Sequence, residues 1–258
     1  MNDKQTDVDP VNVDSLWIIG PRAKGGLRNN SYHGNFVPQI PNDFIRRFTT
    51  DGDVVLDMFT GSGTALFECI PLNRYYIGFD INEAIIANVL QSLAGIPENS
   101  YRINTCDICN KERTQECIAS NLRDFGSDAV DLVLSHPPYL DIIKFTEHAC
   151  DLSHIGDLAT FTAKYIEAVG NVWQYIKKGG HFVLVIGDIY RKGEVVPLGF
   201  TLMSAIRNTF SCQLKGIVVK DIVGNRAKIG QEALWRYRAV KWGTYLFKHE
   251  YVFVFKKK

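Results

Sequence analysis

The sequence predicts an α/β fold with a mostly parallel, twisted sheet and helices on both faces. From Asp53 onward, short runs of β-branched residues alternate with longer helical stretches. Each pair of parallel strands needs a crossover connection, so this alternation is typical of βαβ units. The chain has 258 residues, of which 46% are hydrophobic and 22% charged, and this is enough apolar material for a sizeable core.

The predicted elements follow one another in a regular order. The strands are Val54–Asp57, Tyr75–Asp80, Tyr101–Cys106, Val130–Ser135 and His181–Ile186. The helices are Thr64–Leu72, Asn82–Ala94, Leu158–Lys178 and Leu198–Thr209. Gly179–Gly180 is expected to end the helix that begins at Leu158. Two late apolar runs, Gly216–Val219 and Tyr251–Phe255, predict an antiparallel C-terminal hairpin.

Composition separates two regions from the rest of the chain. Residues 1–32 are polar and glycine-rich, so they are expected to form an arm or lid before a single domain at 33–258. Residues 213–258 carry eleven Lys and Arg and three Asp and Glu, a balance of +8 in a chain of net charge +1. Aromatic residues interleave with these cations over 213–248, which suits a polyanion, because cations pair with phosphates and flat rings stack on bases. A half-buried sheet with a solvated charged face is the alternative.

Neither a membrane segment nor a metal site is expected. The chain has no apolar run of about 18 residues and no N-terminal signal pattern, which predicts a cytoplasmic protein. Its six cysteines are scattered and are interpreted as reduced thiols. Cys106 and Cys109 lack the second ligand pair of a zinc site, and the charged residues of 140–155 are expected to line or cap a pocket.

A glycine turn after the strand Val54–Asp57 predicts a cofactor site. Gly61 and Gly63 lead into a helix, so the backbone can approach a ligand closely and the helix start offers free N–H donors. Asp80 follows Gly63 by 17 residues, near the spacing of a carboxylate that binds ribose hydroxyls. The third glycine of a dinucleotide motif is absent, and Asp57 would repel a pyrophosphate. S-adenosylmethionine is therefore favoured over NAD.

A second motif, His136-Pro137-Pro138-Tyr139, follows the strand that ends at Ser135. Ligands of open α/β sheets bind outside the carboxyl ends of the strands, so this loop is expected beside the cofactor pocket. The prolines stiffen the loop and offer carbonyl groups without N–H donors, and Tyr139 offers a flat face for stacking. A rigid turn with a core tyrosine is the alternative for this motif taken alone.

Together, Asp57–Thr64 and Ser135–Tyr139 resemble the motifs of the S-adenosylmethionine-dependent DNA amino-methyltransferases, which methylate the exocyclic amine of cytosine or adenine. The stretch from His33 to Phe48 resembles the segment that covers the methionine end of the cofactor in this family. The resemblance implies a Rossmann-like class I methyltransferase fold. It also implies restriction-modification, with double-stranded DNA as substrate, a restriction enzyme or recognition partner, and a monomer or homodimer.

The resemblance further implies three sets of site residues. The catalytic set is Ser135, His136, Pro137, Pro138 and Tyr139. The cofactor-binding set is Phe36, Pro38, Asp57, Phe59, Thr60, Gly61, Gly63, Thr64, Asp80, Ile81 and Asp107. The nucleic-acid-binding set is Arg191, Lys192, Arg226, Lys228, Arg236, Arg238 and Lys241.

One residue departs from the family pattern. His136 stands where the family has Asp, Asn or Ser, so the target base stays open between cytosine and adenine. A neutral histidine can still accept a hydrogen bond from the target amine, and a role for Ser135 instead would favour cytosine. The alternatives are a methyltransferase acting on RNA or a protein amide, an inactive nucleic-acid-binding module of the same fold, and a nicotinamide-dependent dehydrogenase.

Overall fold

A computed structural model describes residues 11–26, 34–222 and 232–258 of the chain. The strands are β1 (Leu16–Trp17), β2 (Val54–Asp57), β3 (Tyr75–Asp80), β4 (Tyr101–Thr105), β5 (Val130–Ser135), β6 (Ile176–Ile186), β7 (Ile189–Arg191), β8 (Glu194–Val196), β9 (Cys212–Asp221) and β10 (His249–Lys257). The helices are α1 (Gln39–Phe48), α2 (Thr64–Cys69), α3 (Glu83–Ser92), α4 (Lys111–Phe125), α5 (Leu158–Trp173), α6 (Leu198–Thr209) and α7 (Glu232–Trp242). None of the helices in these described parts is long and apolar enough to cross a bilayer.

Within the described residues, eight strands form one sheet in the order β1-β9-β10-β6-β5-β2-β3-β4, and β7 and β8 form a separate hairpin. The central strands β4, β3, β2, β5 and β6 are parallel. Strand β10 enters between β6 and β9 and is antiparallel to both. The predicted parallel α/β sheet with an antiparallel C-terminal hairpin is therefore confirmed.

Helices cover both faces of this sheet. On one face, Ile118 of α4, Tyr165 of α5 and Leu202 of α6 belong to a single buried cluster. On the other face, Phe44 of α1 and Leu66 of α2 belong to a second buried cluster. Successive side chains of a strand point to opposite faces, which is why the apolar central strands supply both clusters.

The strand order reverses between β2 and β5. From β2 the chain runs outward to β3 and β4, and it then returns to place β5 on the opposite side of β2. In this pairing, Leu56 lies opposite Val133. The next residue, Asp57 at the end of β2, lies opposite Leu134. In open α/β sheets, ligands bind in the crevice outside the carboxyl ends of the strands at such a reversal.

The helix predicted over Leu158–Lys178 ends earlier, at Trp173, and Gly179 and Gly180 belong to β6 instead. The pairing of β5 with β6 jumps from Val130–Ile176 to Leu132–His181, so four residues of β6 lie opposite one residue of β5 in a bulge. A Cβ at Gly180 would lie 2.9 Å from the carbonyl oxygen of Asp131. These glycines thus permit a bulge with close backbone approach, which the sequence pattern does not distinguish from a helix end.

The N-terminal region contributes an edge strand where the sequence predicts only an arm or lid. Strand β1 pairs in parallel with β9, and the backbone N–H of Ile19 donates to Asp221 Oδ1 at 3.0 Å. Trp17 is 2% exposed and stacks on Phe44 with ring centroids 5.2 Å apart. This strand is only two residues long, too short for an alternating pattern, so only the tertiary contact of Trp17 reveals it.

Replacing Trp17 by alanine is expected to lower the free energy of unfolding by about 3–5 kcal/mol, because the change empties a buried aromatic site. Urea unfolding monitored by circular dichroism would measure this loss. Leu16→Ala is the matched control, since the neighbouring Leu16 side chain is 60% exposed. Equal effects of the two substitutions would contradict the placement of Trp17 in the core.

Candidate active site

A cavity of about 780 Å³ opens at the carboxyl ends of β2, β3 and β5. The glycine turn after β2 and the His136–Tyr139 loop after β5 both line it, as do Asp80 and Asp107 at the ends of the next two strands. Its volume lies in the range of small-molecule sites. The two motifs that the sequence singles out thus meet in one cavity.

The glycine turn is held by the backbone and by Asp80. Gly61 and Gly63 have φ angles of +50° and +79°, a region that residues with a Cβ rarely adopt. The Gly61 N–H donates to Asp80 Oδ2 at 2.7 Å, and the Asn82 N–H donates to Asp80 Oδ1 at 2.9 Å. Burial raises the pKa of Asp80, although these two bonds oppose the shift. The carboxylate is therefore fixed in the cavity wall.

Asp57 lies beneath the same turn. It is 1% exposed, its Oδ1 accepts the N–H of Phe59 at 3.2 Å, and its Oδ2 accepts the hydroxyl of Tyr76 at 3.1 Å. The Tyr76 hydroxyl also lies 3.1 Å from Thr60 Oγ1, which ties the turn to β3. Burial raises the pKa of Asp57 to about 7. Asp57 therefore supports the turn from below rather than forming part of the cavity wall.

The predicted cofactor-binding residues divide by position. Those that line the cavity are Phe36, Phe59, Thr60, Gly61, Thr64, Asp80, Ile81 and Asp107. Those that shape it from outside the wall are Pro38, which precedes α1, Asp57, and Gly63, which precedes α2. The Asp107 carboxylate is held in place because its Oδ1 accepts the N–H of Cys109 at 2.9 Å.

Of the predicted catalytic residues, Ser135 is placed apart from the others. His136, Pro137, Pro138 and Tyr139 line the cavity. Ser135 is 1% exposed, and its Oγ lies 2.9 Å from the hydroxyl of Tyr165 in α5, on the other side of the strand. Side chains alternate along a strand, so only one of these two neighbours can face the cavity. The residue that faces the cavity is His136.

The His136 ring sits between two aromatic rings. Its centroid lies 5.2 Å from that of Phe36 and 5.8 Å from that of Tyr139, both in edge-on geometry. His136 Nε2 is 3.4 Å from the Tyr139 hydroxyl oxygen. Burial lowers the pKa of His136 to about 4, so the ring is neutral at neutral pH and keeps one nitrogen as an acceptor.

Two charged residues of the C-terminal hairpin complete the cavity, and neither is among the site residues predicted from the sequence. Tyr139 donates its hydroxyl hydrogen to Glu250 Oε2 at 2.9 Å, and Lys220 Nζ lies 2.5 Å from Glu250 Oε1. Lys220 and Glu250 are 5% and 8% exposed. The Lys220 charge lowers the pKa of Glu250 against the effect of burial. A sequence signal exists, because each charge adjoins an apolar run and the two residues pair in the predicted hairpin.

The loop after the Pro-Pro motif covers one side of the cavity. Ile142, Ile143 and Phe145 line the cavity from this loop. Asp151 fixes the loop, because its Oδ2 accepts both the N–H and the hydroxyl of Thr146. Arg191, one of the predicted nucleic-acid contacts, is ion-paired with Asp141 and donates to the Gly156 carbonyl at 2.8 Å. In this arrangement the arginine anchors both ends of the loop.

The other predicted nucleic-acid contacts are dispersed. Arg236, Arg238 and Lys241 lie on α7, where Tyr237, Val240 and Trp242 are exposed beside them. Lys192 is exposed in the turn between β7 and β8. Arg226 and Lys228 lie outside the described residues. Helix α7 belongs to the connection between β9 and β10, which leaves the sheet at the edge where the cavity opens.

Comparison with known proteins agrees with this geometry. A sequence model of the family described as DNA methylase matches residues 1–91. The chain is 40% identical over 60 residues to the type II methyltransferase M.MjaII of Methanocaldococcus jannaschii, a match that covers 22% of this chain and 11% of that protein. It is 32% identical over 92 residues to the type II methyltransferase M.XycI of Xanthomonas campestris pv. cyanopsidis, which covers 36% and 29%. The chain thus matches only about a tenth to a third of these relatives' length.

Among solved structures, TrmN from Thermus thermophilus has a TM-score of 0.56 to this chain at 16% identity, covering 88% of this chain and 50% of that one. At this identity the likeness establishes the fold. Fold and site together resemble those of the Rossmann-like methyltransferases, the class that uses S-adenosylmethionine. Within that class, the resemblance to the DNA amino-methyltransferases is confirmed by the family match and by the type II relatives.

Folding stability is expected to depend on the ionisation of Asp57. Its pKa rises from an ordinary value of 3.8 to about 7 in the folded protein, so the folded state holds a proton that the unfolded chain releases above pH 4. Stability from this group is highest at low pH and falls, by up to about 4 kcal/mol, as pH rises from 4 to 7.

Asp57→Asn keeps the size of the side chain and removes this titration. The urea midpoint of the variant should therefore rise relative to that of the unchanged protein as the pH is raised from 4 to 7. Asp128→Asn, at an exposed position, controls for the loss of one carboxylate. Parallel pH profiles for Asp57→Asn and the unchanged protein would mean that folded Asp57 is already ionised.

Proposed function

We propose that this protein transfers a methyl group from S-adenosylmethionine to the exocyclic amino group of a base in double-stranded DNA. The observation that carries the proposal is the meeting, in one cavity, of the glycine turn with Asp80 and the His136–Tyr139 loop. The first set of groups suits a nucleoside with a charged tail. The second set suits an amine that receives the methyl group. The family model described as DNA methylase supports DNA as the substrate, and the relatives named as type II methyltransferases support methyl transfer.

The groups around the glycine turn fit S-adenosylmethionine. Asp80 is held by two backbone N–H groups, and its remaining lone pairs can accept the ribose hydroxyls. Apolar side chains such as Ile81 and Ile108 line the cavity where an adenine ring needs flat contacts. Asp107 can accept the adenine amine from the end of β4. When bound, the cofactor supplies an electrophilic methyl group on a sulfonium ion.

The His136–Tyr139 loop supplies acceptors for the target amine. In the transfer, the amine nitrogen forms a bond to the methyl carbon, the carbon–sulfur bond breaks, and one proton leaves the nitrogen. The Pro137 carbonyl and a ring nitrogen of neutral His136 can accept the two amine hydrogens. This orients the nitrogen lone pair toward the methyl group and increases the nucleophilicity of the amine. No covalent bond to the enzyme is needed.

Tyr139 is suited to stack on an extruded base. Its hydroxyl is anchored on Glu250, and its ring passes Gly187 so closely that a Cβ there would lie 3.0 Å from Tyr139 Cε2. The ring is therefore fixed with its cavity side free for contact. Extruding a base costs a few kcal/mol, and stacking on an aromatic ring returns about 1–3 kcal/mol of this.

Helix α7 and the loop after the Pro-Pro motif are the proposed DNA-contacting surfaces. Arg236 and Lys241 are exposed on α7, and Trp242 beside them is 62% exposed. Ile142 and Ile143 are 55% and 44% exposed at the rim of the cavity. Exposed apolar side chains at such a rim can enter the space that an extruded base leaves in the duplex.

Incubation with labelled S-adenosylmethionine and unmethylated duplex DNA should label the DNA. Nucleoside mass spectrometry of the product would show methylcytosine or methyladenine and thereby identify the base. Both His136→Ala and Tyr139→Ala should lower the transfer rate by at least about 100-fold, because one loses an acceptor and the other the stacking ring.

Phe200→Ala serves as a control for this experiment, because Phe200 is 40% exposed on α6, outside the cavity lining. Label in RNA or in protein amides, with none in duplex DNA, would contradict the DNA assignment. Cofactor binding without label in any of these substrates would instead support an inactive binding module.

DNA affinity should depend on salt through the cations of α7. Each phosphate contact contributes about 0.9 to the slope of log affinity against log salt concentration. The double substitution Arg236→Gln, Lys241→Gln should therefore weaken duplex binding and reduce this slope by up to about 2. Fluorescence anisotropy at several salt concentrations measures both quantities.

Arg123→Gln with Lys178→Gln is the charge-matched control. Arg123 lies in the last turn of α4 and Lys178 near the start of β6, so both are exposed at the edge of the sheet opposite the cavity. The same change of slope in both double variants would argue against a DNA surface on α7.

A further inference from the structure

The function proposed above uses Glu250 only as the anchor of the Tyr139 hydroxyl and gives no role to the buried ion pair that Glu250 forms with Lys220. Removing two charges from water is expensive, and a buried pair often stabilises a protein no better than apolar residues of the same size. Here the pair lies against the cavity and is linked by hydrogen bonds to the loop that receives the target amine. Its place in the site therefore needs an explanation in terms of that loop.

The donors and acceptors along this chain of contacts have a fixed direction. Lys220 can only donate, and the Glu250 carboxylate can only accept. Tyr139 donates its single hydroxyl hydrogen to Glu250 Oε2, so its oxygen offers only lone pairs to other neighbours. One such neighbour is His136 Nε2, at 3.4 Å.

A hydrogen bond between His136 Nε2 and this oxygen requires the hydrogen to reside on Nε2. A neutral imidazole has one N–H, so the other nitrogen, Nδ1, must then carry the lone pair. Burial favours the neutral form, because it lowers the pKa of His136 to about 4.

We propose that the Lys220–Glu250 pair acts through Tyr139 as a positioning device that holds the His136 hydrogen on Nε2 and leaves Nδ1 as the acceptor for the target amine. This rests on the proposed function and adds two positioning residues to it. It also accounts for the histidine at position 136, where the family that this chain resembles has Asp, Asn or Ser. Those side chains offer an acceptor oxygen directly, whereas histidine does so only on its unprotonated nitrogen.

Glu250→Gln tests the proposal, because it reverses the direction of the hydrogen bonds that run between residue 250, Tyr139 and His136. Lys220 only donates, so the new amide must turn its oxygen toward Lys220 and its NH2 group toward Tyr139. Tyr139 then receives a hydrogen from the amide and donates its own to His136 Nε2. The ring must shift its hydrogen to Nδ1, and the acceptor for the amine is lost.

The position of the ring hydrogen can be read without any substrate. Long-range proton–nitrogen NMR spectra distinguish the two neutral forms of imidazole, and His136→Asn assigns the signals among the six histidines of the chain. We expect Nε2 to carry the hydrogen in the unchanged protein and Nδ1 to carry it in Glu250→Gln. A hydrogen on Nδ1 in the unchanged protein, or the same form in both proteins, would overturn the proposal.

Kinetics give a second readout. In Glu250→Gln, kcat for methyl transfer should fall about 100-fold while KM for DNA stays unchanged, because the stacking ring is retained. Glu167→Gln is the matched control, since it breaks the Lys164–Glu167 pair, which is exposed on α5. If Glu250→Gln does not fold, Tyr139→Phe keeps the ion pair and the ring and removes only the hydroxyl. The Nε2-protonated fraction and kcat should then both fall, and no change in either would refute the proposal.

The two proposals can fail separately. The expected NMR result without methyl transfer to DNA by the unchanged protein would refute the function and leave the control of the His136 ring in place. Methyl transfer to DNA with the ring hydrogen on Nδ1 would support the function and refute the role of Lys220 and Glu250.

Discussion

The pairing of β2 with β5 brings together two loops that lie about 75 residues apart in the chain. The Asp57–Leu134 register sets the ends of both strands at one level, so the glycine turn and the His136 loop open into the same cavity. The Met58 N–H also donates to the Leu134 carbonyl at 3.0 Å, which extends the pairing to the first residue of the turn. A shift of this register by one residue would point Ser135 into the cavity and His136 into the core.

The glycine turn and the His136 loop are also the parts of the site that the sequence predicts well. Each is a contiguous motif whose geometry follows from local rules: glycines at positive φ, prolines without N–H, and a strand before each loop. The strands from β2 to β6 are predicted for the same reason, because buried parallel strands appear as short apolar runs. The bulge at Gly179–Gly180 replaces the predicted helix end, since the same dipeptide ends many helices and only the register of β6 on β5 distinguishes the two cases.

Contacts between distant segments account for most of what the sequence did not predict. Trp17 is buried only because β1 joins the far edge of the sheet and meets α1. Lys220 and Glu250 meet because β10 inserts between β9 and β6, and this insertion also carries Glu250 to Tyr139, 111 residues away in the chain. Arg191 illustrates the converse case, because a cation that suits phosphate in the sequence is paired with Asp141 in the fold.

The identity of residue 136 and the charges at the end of the hairpin explain one another. An aspartate at position 136 would need no partner to fix its acceptors, because both carboxylate oxygens accept whatever their surroundings. A neutral histidine has one acceptor nitrogen and one donor nitrogen, and the hydrogen can move from one to the other. Which nitrogen can accept the target amine therefore depends on a neighbour that fixes the position of this hydrogen. The Tyr139 oxygen can fix the position of the ring hydrogen only if its own hydrogen is donated to another group, and Glu250 is the group that accepts it. A lone buried carboxylate would take up a proton, and Lys220 prevents this by keeping Glu250 ionised. The free energy lost in burying the Lys220 and Glu250 charges is thus what it takes to keep one fixed nitrogen of the His136 imidazole as the acceptor at this site.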